Sequence, residues 1–201
     1  MEADWEVEVG GGAPVIEAYW PGFVDLRCSS QSLPHAILNP HPDRITEIVE
    51  AATFPPLSAL LRALNTPTSP VWTSKCDLWE PLPFEFTDPA TIAADAQAGL
   101  ACYLDLLPLE CLVFPGLAQA ETLCREWVAR LSPIDVPQCR IDLVIRQAVA
   151  ADVEGFGITA YLGAAGADRS AAANGLATAM AAFAAAIPAT APPAISPRKL
   201  Q

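Results

Sequence analysis

Four short stretches of alternating residues constrain this chain more than anything else in it. Gly22-Phe23-Val24-Asp25-Leu26-Arg27 is answered by the segment 71–79, and Leu100-Ala101-Cys102-Tyr103-Leu104-Asp105-Leu106 by the segment 140–146. Each stretch carries an apolar-Asp-Leu triplet, as at Val24-Asp25-Leu26, Cys76-Asp77-Leu78, Leu104-Asp105-Leu106 and Ile141-Asp142-Leu143. Alternation with a period of two is the signature of a strand with one buried face. Helical sequence separates the members of each pair, and a further strand-like segment and helix follow each pair. The pattern predicts an internally duplicated β-α-β-β-α unit, with the ferredoxin-like order from residue 22 to 106. The expected fold class is α+β, one sheet layer with helices on one face.

The chain of 201 residues divides on this reading into four parts. Residues 1–13 are a flexible N-terminal segment, in which Trp5-Glu6-Val7-Glu8-Val9 has the alternation of an edge strand but is uncoupled by Gly10-Gly11-Gly12. Residues 14–99 are the first half-unit, 100–187 the second, and 188–201 a proline-rich tail. Within the first half, Ile45, Ile48, Val49 and Ala52 form an apolar stripe for a helix starting near Asp43. Pro55-Pro56 stops it, and Leu57, Leu60, Leu61 and Leu64 carry a second. Asp88-Pro89 reads as the start of a helix ending at Gly99. In the second half, a helix over about 117–131 buries Ala120, Leu123, Cys124, Trp127 and Leu131, strands follow over 139–148 and 156–162, and Gly163 to Gly166 forms a tight loop. The last helix is capped by Asp168 or Ser170 and presents Leu176, Met180, Phe183 and Ile187.

A formal net charge of −12 argues against a nucleic-acid binder, which needs Lys and Arg against phosphate, and against adhesion to anionic membrane. The acidic N-terminus has no apolar core of a secretion signal, so the expected location is the cytoplasm. Six cysteines without a CxxC pair or zinc-finger spacing are expected to be reduced thiols. No motif implies a cofactor or a metal.

Strand alternation also assigns faces. Val24, Leu26, Cys28, Trp72, Cys76, Leu78, Cys102 and Leu104 are expected toward the helices, and so are Ile141, Leu143 and Ile145. The open face then holds Phe23, Asp25, Thr73, Lys75, Asp77, Trp79, Tyr103, Asp105, Arg140, Asp142 and Arg146. Its aspartates have the spacing for a hard cation or an acid/base pair, but Arg27, Lys75, Arg140 and Arg146 share the face, so a lattice of ion pairs is the plainer outcome. By residue type, the loop carrying His35 and His41, with Asp43 after it, is the catalytic candidate, although Asp43 is equally placed to cap a helix. Gly163 to Gly166 before a helix could hold an anion but lacks the GxGxxG and Walker patterns.

The functional expectation is a non-enzymatic protein-interaction protein, binding a protein partner or pairing as a homodimer. Its binding residues are Phe23, Trp79 and Tyr103 with Asp25, Asp77, Asp105 and Asp142. The competing expectation is a small metal-assisted or acid/base hydrolase using His35, His41 and the sheet aspartates.

Overall fold

The computed structural model describes residues 1–12, 14–18, 42–82, 93 and 95–188. Their fold is mixed α+β, a six-stranded sheet with four α-helices. The elements in chain order are β1 (Glu2–Glu8), β2 (Ile16–Glu17), α1 (Val49–Thr53), α2 (Pro55–Leu64), β3 (Val71–Trp79) and β4 (Ala98–Pro108), followed by α3 (Leu117–Leu131), β5 (Cys139–Ala150), β6 (Val153–Gly166) and α4 (Arg169–Ala186). The strands lie in the order β1-β5-β6-β4-β3, with β2 beside β5 beyond the end of β1. β1 and β2 run parallel to β5, and the remaining neighbours are antiparallel. β4 and β5 are therefore parallel to each other, with β6 between them and α3 crossing over, a split β-α-β arrangement.

The core follows from the strand period. Leu100, Cys102, Leu104 and Leu106 of β4 share one buried layer with Ile141, Leu143 and Ile145 of β5 and Ile158, Ala160 and Leu162 of β6. Onto that layer pack the leucines of α2, the Ala120–Cys124–Trp127–Leu131 stripe of α3, and Leu176, Ala179, Met180 and Phe183 of α4. A Leu, Ile or Phe buried in this way contributes about 1.5–3 kcal/mol, which is why the apolar stripes decide where the helices lie. A second, smaller core sits on the other face at one end of the sheet, where Ile16, Trp72, Leu107, Val113 and Ala148 meet.

Local chemistry sets the boundaries. Pro55 and Pro56 do more than end the preceding segment, because they open α2 at its first positions, where no N–H is needed. At the other end of α2, the Asn65 side chain donates to the Leu61 carbonyl at 2.8 Å and accepts from the Thr73 amide at 2.9 Å, so one buried amide caps the helix and anchors β3. Asp168 caps α4 by accepting from Ala171 N at 2.8 Å.

Several expectations are corrected. The helix expected from Asp43 is divided, with a 3₁₀ turn over Pro42–Glu47, an extended Ile48 and then the short α1. The β-branched run Ile45, Thr46, Ile48, Val49 lowers helix propensity there. The helix expected to stop at Gly99 does not reach it. Residues 95–97 are non-helical, and Gly99 is inside β4, where a side chain would stand 2.6 Å from the Pro81 carbonyl oxygen. Gly163 to Gly166 is no loop either. It completes β6, paired with β4 and, through Ala164, with Cys139 of β5. Backbone groups committed to a ladder cannot line an anion cradle. Finally, Trp72 and Thr73 exchange faces. The register shifts between Thr73 and Lys75, and a bulge of one residue inverts the parity of everything before it. Trp72 thus joins the second core and Thr73 faces the helices.

Among the described residues, no helix is long and apolar enough to cross a membrane. The strands expected of the first half-unit over 22–27 and at Phe84-Glu85-Phe86 lie outside the described residues, as does the tail beyond 188.

Candidate functional site

The face opposite the helices is where polar and aromatic side chains converge, and the register places them in rows. Asp77 of β3 pairs with Tyr103 of β4, Tyr103 with Tyr161 of β6, Tyr161 with Asp142 of β5, and Asp142 with Asp4 of β1. Three carboxylates and two phenols thus cross the whole sheet in one line. The next row toward the second core runs Lys75, Asp105, Thr159, Val144 and Glu6.

The rings form a ladder. Trp79 and Tyr103 have centroids 6.2 Å apart at 54°, and Tyr103 and Tyr161 have centroids 6.2 Å apart at 51°. Tilted pairs in this range are favourable for quadrupolar rings. Trp79, Tyr103 and Tyr161 are all half-buried, and Asp77 is exposed. Burial first, and then the Asp105 and Asp77 carboxylates, push the Tyr103 hydroxyl up to about 12. The ring therefore sits in a negative field.

The arginines of this face are engaged within it. Arg146 Nη2 lies 2.6 Å from Glu8 Oε2, its Nη1 donates to the Tyr161 hydroxyl at 2.8 Å, and its guanidinium stands over the Tyr161 ring at 5.4 Å. Arg140 Nε donates to both carboxylate oxygens of Asp142 at 2.9 and 2.7 Å, and its Nη1 is 3.5 Å from Glu2. That hydrogen bond to Asp142 leads the causes that raise the Arg140 pKa. Between β1 and β5 the same groups line a pocket of about 240 Å³, with Asp4, Glu6, Arg140, Asp142, Arg146 and Tyr161 in its wall.

Asp105 behaves differently from the other aspartates. It lies on this face but is only 6% exposed, and Thr159 Oγ1 donates to it at 2.7 Å. Burial raises its carboxyl pKa, opposed by Thr159, Lys75 and Arg146. Its place is inside the sheet, out of reach of a large partner.

Trp79, Tyr103, Asp77 and Asp142 are thus brought onto one face with Asp105 beneath them. Phe23, Asp25, His35 and His41 lie outside the described residues, and of Asp43 only the backbone, in the 3₁₀ turn, is described. Sequence reasoning missed Tyr161, whose alternation with Thr159 in the strand 156–162 carries the signal. It also missed the acids of β1, where Glu2, Asp4, Glu6 and Glu8 alternate with residues of the opposite face. Among the described residues, no group of three or more His, Cys, Asp or Glu side chains is placed to hold a metal ion. No family model, curated protein or solved structure matches this chain.

Proposed function

We propose that the chain is a non-catalytic binding protein of the cytoplasm and that the face opposite its helices is a protein-recognition surface, engaging a partner protein or a second copy. The observation that carries this reading is the Trp79–Tyr103–Tyr161 ladder. Aromatic rings bring large contact area with few rotatable bonds, so they lose little entropy on binding and dominate interface energetics. Carboxylates around them add little raw affinity but fix orientation and reject like-charged partners. A net charge of −12 extends that preference over the whole molecule.

The same reading includes the architecture. β4-α3-β5-β6-α4 follows the order expected for one half-unit. With β3 on the far side of β4, the strands β3-β4-β6-β5 form one sheet whose buried layer is covered by the helices. In such sheets the side away from the helices is the one left for partners.

Sedimentation of wild type and Trp79→Ala over a concentration series tests the proposal. Association of the wild type, weakened in the variant by about 1–3 kcal/mol with an unchanged thermal melt, is the expected result. An association equally strong in both proteins would place the contact elsewhere.

A further inference from the structure

Resting on that reading of the face, we propose that its partner presents an arginine, whose guanidinium stacks on Tyr103 and pairs with Asp77. One strand over, the chain holds an arginine of its own between a phenol ring and a carboxylate, with Arg146 also donating to the Tyr161 hydroxyl at 2.8 Å. Arg146 lies over the Tyr161 ring at 5.4 Å and is paired with a carboxylate, Glu8, at 2.6 Å. Tyr103 and Asp77 supply the same two ingredients, a phenol ring and an acid in direct register on the neighbouring strand. Asp77 is exposed, and one of its oxygens accepts from the Leu78 amide at 2.7 Å. A carboxylate has about four lone-pair sites, so that bond leaves capacity for a guanidinium fork.

Charge selects the class of partner. The row Asp77, Tyr103, Tyr161, Asp142, Asp4 contains three carboxylates and no cation, and the Asp105 and Asp77 carboxylates add to burial in raising the Tyr103 hydroxyl pKa. An aromatic ladder on a sheet is also how single-stranded nucleic acid is held, by base stacking, but that mode needs a basic track for the phosphates. Here the acids would repel them. Arginine is favoured over lysine because a planar, weakly hydrated guanidinium both stacks on a ring and meets a carboxylate with two parallel bonds.

The test uses the full chain and four labelled probes followed by fluorescence anisotropy. These are a nine-residue peptide alternating arginine and serine, its lysine and glutamate counterparts, and an oligothymidylate of similar length. The arginine peptide should bind, several-fold more tightly than the lysine peptide, and should weaken with salt. The glutamate peptide and the oligonucleotide should not bind. Asp77→Asn should weaken arginine-peptide binding roughly five- to tenfold with an unchanged thermal melt. Equal binding of arginine and lysine peptides, indifference to Asp77→Asn, or preferential binding of the oligonucleotide would each overturn the proposal. Trp79-dependent association without an arginine preference sinks this inference and leaves the recognition surface standing. Loss of both removes the surface.

Discussion

Thr159 Oγ1 donates a 2.7 Å hydrogen bond to Asp105 Oδ1, tying β6 to β4 in the middle of the sheet. Burial pushes the Asp105 carboxyl above its ordinary range, and Thr159, Lys75 and Arg146 offset this only in part. The folded chain therefore keeps the proton at pH values where the unfolded chain has released it. Stability from this group is greatest below the unfolded value and falls as pH rises through the folded one. Asp105→Asn removes the ionisation and keeps an oxygen for Thr159. Its stability relative to wild type should increase from about pH 4 to pH 8 in urea unfolding. A difference that stays flat would mean that ionising Asp105 costs the fold nothing.

Thr159→Val should act in the opposite sense. It leaves the buried Asp105 carboxylate without its hydroxyl donor, at a cost of about 1–3 kcal/mol near neutral pH. The loss should shrink as pH falls and Asp105 takes up its proton. The same urea series on this variant reads the effect, and a pH-independent loss would assign it to side-chain packing.

Thiol chemistry separates the cysteines by environment. Burial raises Cys76 and Cys124 to about 12, Cys139 to about 11, and Cys102 further still, while Cys111 is exposed. A thiol with a pKa near 12 is thiolate in about one molecule in ten thousand at pH 8, and only the thiolate reacts. Iodoacetamide labelling of the native protein, mapped by mass spectrometry, should modify Cys111 fast and the other four slowly until urea is added. Fast native reaction at Cys102 would contradict the buried layer that holds it.

Those cysteines also mark what could be read before any coordinates. Cys102 and Leu104 of β4 face the helices as alternation requires, and Cys76 of β3 does too, because it lies beyond the Ser74 bulge. Trp72 lies before it and is inverted, since nothing in Val71-Trp72-Thr73-Ser74 announces an extra residue. α3 was legible to the residue, its stripe being unbroken by glycine or proline. Gly99 was misread because a glycine excluded by a neighbouring carbonyl looks, in sequence, like one that ends a helix. The candidate face was half legible. Trp79, Tyr103 and three aspartates follow from period two, but that Tyr161 lies beside Tyr103 depends on β6 separating β4 from β5, which is a matter of long-range pairing.

Gly155 is needed for the bridge between the loop after β4 and the sheet. Phe114 and Phe156 exchange backbone hydrogen bonds at 2.9 Å, and a side chain at Gly155 would stand 2.5 Å from the Phe114 carbonyl oxygen and from Val113 Cγ2. Gly155→Ala should push that loop away from β6 and lower stability by about 1–3 kcal/mol, as overpacking does. A lowered urea midpoint is expected, and an unchanged one would show that the loop yields freely.

Trp127 of α3 is fully buried, with its ring edge-on to Phe183 of α4 at 6.2 Å and 87°. Its Nε1 hydrogen meets no acceptor among the described residues. Two effects therefore oppose each other in Trp127→Phe. Removing a buried donor that has no partner recovers about 1–3 kcal/mol of desolvation cost. Losing part of the bicyclic ring leaves a small void that costs an amount of the same order. The variant keeps an aromatic ring against Phe183, so its net stability should lie within about 1 kcal/mol of wild type. Trp127→Ala removes the ring altogether and should cost about 3–5 kcal/mol, the usual range for a buried aromatic. Urea unfolding of the two variants side by side makes the comparison. If Trp127→Phe loses nearly as much as Trp127→Ala, the indole N–H is bonded and the polar atom, rather than the ring, is what α3 contributes to the core at that position.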